Sequence, residues 1–82
     1  MKFVYKHIHM VLIDVLPKTK VYSVNSISDG NRIGIIKWYA PWRQYCYLPS
    51  EKTVYSGGCM DDVSDFIRQL MNERKPKKGV IE

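Results

Sequence analysis

The chain has 82 residues, 45% of them hydrophobic and 26% charged, with a formal net charge of +5. That length allows one small domain, near the lower end of what folds without disulfides or metal, with room for one sheet face packed on about one helix. The composition excludes a disordered polypeptide, and the longest apolar run, Met10 to Ile13, falls far short of the roughly 18 residues of a membrane span.

The first segment, Phe3 to Leu16, is rich in β-branched residues and has neither an N-cap nor a C-cap signal, so it is expected as a strand although its apolar spacing also fits a helix. Within residues 1–17, Met10 could serve as an alternative start, which would make the first residues dispensable. His7 and His9 share a face of such a strand, but no third ligand lies nearby and they are expected as surface histidines without metal. Pro17 and Lys18 make a turn. Lys20 to Ile27 reads as the second strand, with Tyr22 and Val24 on one face. Ser28-Asp29-Gly30-Asn31 is a hairpin turn, and Arg32 to Tyr39 returns with Gly34, Ile36 and Trp38 on one face and Ile33, Ile35, Lys37 and Tyr39 on the other.

Ala40-Pro41 breaks that strand because Pro41 has no N–H to give to a ladder, and a new strand is expected from Trp42 to Leu48. Arg43, Tyr45 and Tyr47 would share one of its faces, with Trp42, Gln44, Cys46 and Leu48 on the other. Both faces carry apolar groups, so alternation leaves open which one is buried. After a turn at Pro49 to Lys52, a short strand is expected over Thr53 to Ser56. The one clear helix runs from Cys59 to about Lys75, with an apolar stripe at Cys59, Val63, Phe66, Ile67 and Leu70. Asp61 and Asp62 fall in its first turn and Arg74 and Lys75 in its last, and Asp65 can pair with Arg68. Pro76 ends it. The expected architecture is α+β: an antiparallel meander of four to five short strands against one C-terminal helix, a two-layer sandwich over residues 1–75, followed by a flexible basic tail over 76–82.

Ile33 to Pro49 holds both tryptophans together with Tyr39, Tyr45 and Tyr47, set with Lys37 and Arg43. From Ile36 to Pro49 the chain reads IKWYAPWRQYCYLP, then Thr53-Val54-Tyr55, then CMDDVSDFIRQL from Cys59 to Leu70. This resembles a family of small proteins of phages and prophages with the pattern I-x-W-Y-x-x-W-R-x-Y-x-F-x-P, T-x-[FY], C-[LM]-x-D-[IV]-x-x-F-I-x-x-L. The resemblance covers about half the chain. It departs at Tyr47, where Phe is usual, and in a longer start before Lys20. It implies a viral or mobile-element context, carries no known activity and transfers no catalytic residue.

The residues themselves give no enzyme signature. Asp61, Asp62 and Asp65 read as solvated charges at a helix start rather than a metal or acid–base pair. Gly57-Gly58 before a helix would suit a phosphate, but the neighbouring aspartates repel one. Cys46 and Cys59 form no CxxC pair and are expected as reduced, buried small residues. No cofactor or metal is expected, and the N-terminus lacks a signal peptide, so a cytoplasmic protein is the plain reading.

What remains is binding. Lys37, Tyr39, Trp42, Arg43, Tyr45 and Tyr47 are the expected contact residues, while Trp38, aligned with Ile36, belongs to the core. Tyr, Trp and Arg suit a protein interface; aromatics with cations also suit stacking on bases beside phosphates. Arg74, Lys75, Lys77 and Lys78 hold four of the thirteen bases, leaving residues 1–73 with a net charge of only +2. That balance argues against tight, sequence-independent nucleic-acid binding. The viral context that the resemblance implies favours a host protein complex as partner, with the chain as an accessory protein or inhibitor of a host defence or nucleic-acid-handling complex, and direct nucleic-acid binding is the alternative. An aromatic sheet face also suits a homodimer.

Overall fold

The computed structural model describes residues 1–51, 53–54 and 56–74. Among these, the chain forms β1 (Ile8–Val15), β2 (Lys20–Ser26), β3 (Arg32–Tyr39), β4 (Gln44–Pro49) and α1 (Gly57–Arg74). The strands make one antiparallel sheet in the order β1-β2-β3-β4, with the helix laid over one face, the α+β meander expected from the sequence.

Register decides which side chains meet the helix. Met10 faces Val24, which faces Gly34, which faces Pro49; one row along, Leu12, Tyr22, Ile36 and Tyr47 line up. Residues directly opposite in an antiparallel ladder project to the same side, so these rows form the helix face. Val24, Ile36 and Phe66 are fully buried there, with Ile8, Met10, Tyr22, Tyr45, Val63 and Leu70 around them. The stripe Val63, Phe66, Leu70 at helical spacing supplies the other half of the core, as its periodicity indicates. Tyr22 meets Phe66 edge-on at 4.9 Å between ring centres, and Phe3 closes on the same ring at 5.7 Å.

The β2–β3 turn follows from its residues. Gly30 sits at φ +74 in the β2–β3 hairpin, where a side chain would be strained, and Asn31 N–H is held by the Asp29 carboxylate at 2.9 Å. Gly34 has a different task. The ring of Tyr47 lies flat across it, so close that an added Cβ would come within 2.5 Å of the ring, and the Tyr47 hydroxyl donates to the Ile33 carbonyl.

Several expectations shift. The first strand begins at Ile8, and residues before it turn back on it: Met10 N–H donates to the Phe3 carbonyl and Val4 bridges His9. Tyr5 is buried in the core, so the residues before β1 take part in its packing. The helix begins at Gly57, with the Ser56 hydroxyl accepting from Cys59 N–H as its cap. Asp61 and Asp62 therefore fall beyond the first turn, where the helix dipole acts on them less. Thr53, Val54 and Ser56 form no strand. Tyr55, Lys75 and the tail expected over 76–82 lie outside the described residues.

Candidate functional site: the open face of the sheet

The face turned away from the helix carries its own rows. Val11, Ser23, Ile35 and Leu48 run across all four strands; Lys37 pairs with Cys46, and Tyr39 with Gln44. At one end the face is polar: the Arg32 guanidinium donates to the Ser23 hydroxyl at 2.9 Å, and that hydroxyl donates to the Asn25 side chain. These bonds satisfy Ser23, which is 2% exposed in the middle of an otherwise uncovered surface. At the other end the face is aromatic.

The proline break builds that aromatic end. Ala40-Pro41-Trp42 forms one turn of 3-10 helix after β3, closed by a hydrogen bond from Arg43 N–H to the Ala40 carbonyl. Arg43 takes a left-handed conformation, φ 54, which a non-glycine residue adopts at a cost of about 1 kcal/mol. Trp42 is thrown outward, 66% exposed, and packs edge-on against Tyr39 with ring centres 5.2 Å apart. Tyr39, Trp42, Cys46 and Leu48 line a shallow groove of about 190 Å³ between the turn and β4.

The six expected contact residues are therefore split. Lys37 and Tyr39 lie on the open face, and Trp42 and Arg43 form its exposed corner. Tyr45 and Tyr47 lie on the opposite side. Tyr45 is 5% exposed, edge-on to Trp38 at 5.5 Å, and its hydroxyl accepts from Lys20 N–H; Tyr47 is half-buried over Gly34. The expected sharing of a face by Arg43, Tyr45 and Tyr47 fails because Arg43 is outside the strand, in the left-handed turn. From Gln44 onward the alternation holds, and Gln44, Cys46 and Leu48 take the open side. Cys46 and Cys59 are thus on opposite faces of the sheet and both are free thiols.

Two anchoring clusters escaped the reading of the sequence. The Tyr5 hydroxyl donates to Asp65 at 2.7 Å and accepts from the Gln69 amide at 2.9 Å, while Gln69 also bonds the Lys2 backbone. Burial, and then the carboxylate of Asp65, push the Tyr5 phenol well above the usual tyrosine range. At the other end of α1 the Arg74 guanidinium lies 4.0 Å over the Trp38 ring and donates to the Lys18 carbonyl. Phe3 and Tyr5 at i, i+2 and Asp65 and Gln69 at i, i+4 were the available signals for the first cluster. Nothing near Trp38 in sequence signalled the second.

Among the described residues no group of three or more His, Cys, Asp or Glu is placed to hold a metal ion, and no helix is long and apolar enough to cross a membrane. No family model and no solved structure matches the chain. It is similar to a 9.3 kDa protein of Acholeplasma phage L2, itself described only as uncharacterised, with 34% identity over 61 residues that cover 72% of this chain and 78% of the relative. With that identity along most of both chains, the protein belongs to the same family of small phage proteins as the Acholeplasma phage L2 protein.

Proposed function

We propose that this is a non-enzymatic accessory protein that acts by docking the Trp42 corner of its open sheet face, with the groove of Tyr39, Cys46 and Leu48 beside it, on a host protein, as an inhibitor of a host defence or nucleic-acid-handling complex. The observation that carries the reading is the exposed corner. A tryptophan is a costly side chain to leave in water, and here a strained left-handed Arg43 and a 3-10 turn hold it there against Tyr39. Trp, Tyr and Arg are the residues most often responsible for binding energy at protein interfaces. Lys37 and Arg43 add cations beside the aliphatic side chains of Val11, Ile35 and Leu48, and Arg32 is tied to Ser23 at the polar end, a balance nearer to a protein interface than to a phosphate-tracking groove.

The phage relative supports a setting in which a small protein works on host components, by association.

Capture of host proteins by the wild type and by Trp42→Ala/Arg43→Ala tests the reading. The double variant should fold and lose the partners the wild type retains. Recovery of the same partners by the variant overturns the contact face. Binding to single-stranded DNA or RNA that weakens steeply with salt would replace the host protein with a nucleic acid.

A further inference from the structure

We infer that a second copy of this chain packs on the open face, sheet to sheet, through a row whose charges complement themselves. This rests on the reading of that face as a contact surface and adds the partner. Asp14 faces Val21 across β1 and β2, and Lys37 faces Cys46 across β3 and β4. β2 and β3 pair as far as Tyr22 and Ile36; continuing the strand alternation by one residue puts Lys37 level with Val21 on the open face. Asp14 and Lys37 thus flank Val21 in one row, two strand spacings or about 10 Å apart. Among the described residues the ion pair formed is Arg68 with Asp65, and neither Asp14 nor Lys37 is paired within its own chain.

A two-fold axis lying between the two sheets, parallel to the strands and over Val21, brings Asp14 of each copy onto Lys37 of the other. The contact is isologous, as closed dimers require. On one side of this ionic row the axis superposes Val11 and Ile35, which otherwise remain in water. One alternative route to a dimer, pairing along the outer edge of β1, is blunted by residues 3–5, which bond Ile8 and Met10 there, and by the bulge between Leu12 and Asp14.

The overlap spans three of the four strands, roughly 350 Å² of flat area per copy before side-chain relief. At about 700 Å² for the two copies together, that falls below stable interfaces and in the range of weak, transient ones, so the dimer dissociates on dilution. β4 overhangs, which leaves the Trp42 groove uncovered. Because the axis follows the strands, both Trp42 corners lie at the same end of the dimer, one on each side.

Sedimentation velocity of the full chain over a concentration series is the test. The wild type should show a reversible monomer–dimer equilibrium. Lys37→Asp and Asp14→Lys, both at exposed positions, should each weaken association tenfold or more, and Lys37→Asp/Asp14→Lys together should restore it. A wild type that stays monomeric at every concentration overturns the proposal, as does a double variant no better than the singles, or a dimer indifferent to all three. A monomer whose Lys37→Asp variant loses a host protein or a single-stranded oligonucleotide gives the face another occupant and also overturns it. The docking reading fails separately: a dimer that behaves as described, in a protein whose partners survive Trp42→Ala/Arg43→Ala, removes that reading alone.

Discussion

The two faces of the sheet are built from nearly the same residue types and differ in what the chain does about them. The helix face holds Tyr22, Ile36, Tyr45 and Tyr47 and is closed by Phe66, Val63 and Leu70. The open face holds Val11, Ile35, Leu48 and Tyr39 and is left uncovered, with Trp42 standing beyond it. One helix can cover one face. What the comparison teaches is that aromatic content does not mark the exposed surface in this chain. Backbone geometry does: the tyrosines that follow strand alternation under the helix are core, and the tryptophan displaced by Pro41 is exposed.

The largest effect should come from breaking the closed face. Phe66→Ala removes the ring that meets Tyr22 and Phe3 and should cost about 3–5 kcal/mol. In a chain whose total stability is on the order of 5–15 kcal/mol, a chemical denaturation curve should show a folded baseline largely lost. Gly34→Ala pushes on the Tyr47 ring and its bond to Ile33, and should cost about 1–3 kcal/mol in the same measurement.

The open face should behave in the opposite way. Trp42→Ala should change the unfolding free energy by no more than about 0.5 kcal/mol, since the side chain is exposed, while abolishing partner capture. Arg43→Gly sharpens the contrast. It relieves the left-handed residue and should stabilise by up to about 1 kcal/mol, while weakening capture through loss of the guanidinium. A variant that is both destabilised and fully active would show that Arg43 serves the turn rather than the contact.

The smallest effect is in alkali. The phenols of Tyr5 and Tyr22 both titrate above their ordinary value in the folded chain, because burial, and then the carboxylates Asp65 and Glu73 respectively, disfavour the phenolate. A raised folded value keeps its full contribution below the unfolded value of about 10 and loses it as pH rises above that, since the unfolded chain then releases protons the folded chain retains. Stability should therefore fall from about pH 10 upward, and Tyr5→Phe should make that fall shallower while costing stability at neutral pH through loss of the Asp65 bond.

Much of the fold was legible locally. The β2–β3 hairpin follows from Asp29-Gly30-Asn31 and from the alternation of Ile36 and Trp38 with Lys37 and Tyr39, and the helix from the spacing of Val63, Phe66 and Leu70. The side of β4 that is buried was not legible, because alternation cannot be carried through a residue with positive φ, and Arg43 is such a residue. The role of the first seven residues was hidden for another reason. Tyr5 meets Asp65 and Gln69 across some sixty positions of sequence, and no local pattern reports a pairing at that range. Of the six expected contact residues, composition could not say which side of the sheet each takes: Lys37 and Tyr39 fall on the open face with Cys46 and Leu48, Trp42 and Arg43 at its corner, and Tyr45 and Tyr47 under the helix.

The central claim is that the open face, led by the Trp42 corner, is where this protein meets its partner. Quantitative capture from host lysate by three proteins tests it most directly: the wild type, Trp42→Ala/Arg43→Ala, and Arg68→Ala on the exposed side of the helix. Loss of a defined set of host proteins from the double variant alone is the predicted result. Equal recovery by all three, or loss only with Arg68→Ala, would contradict it.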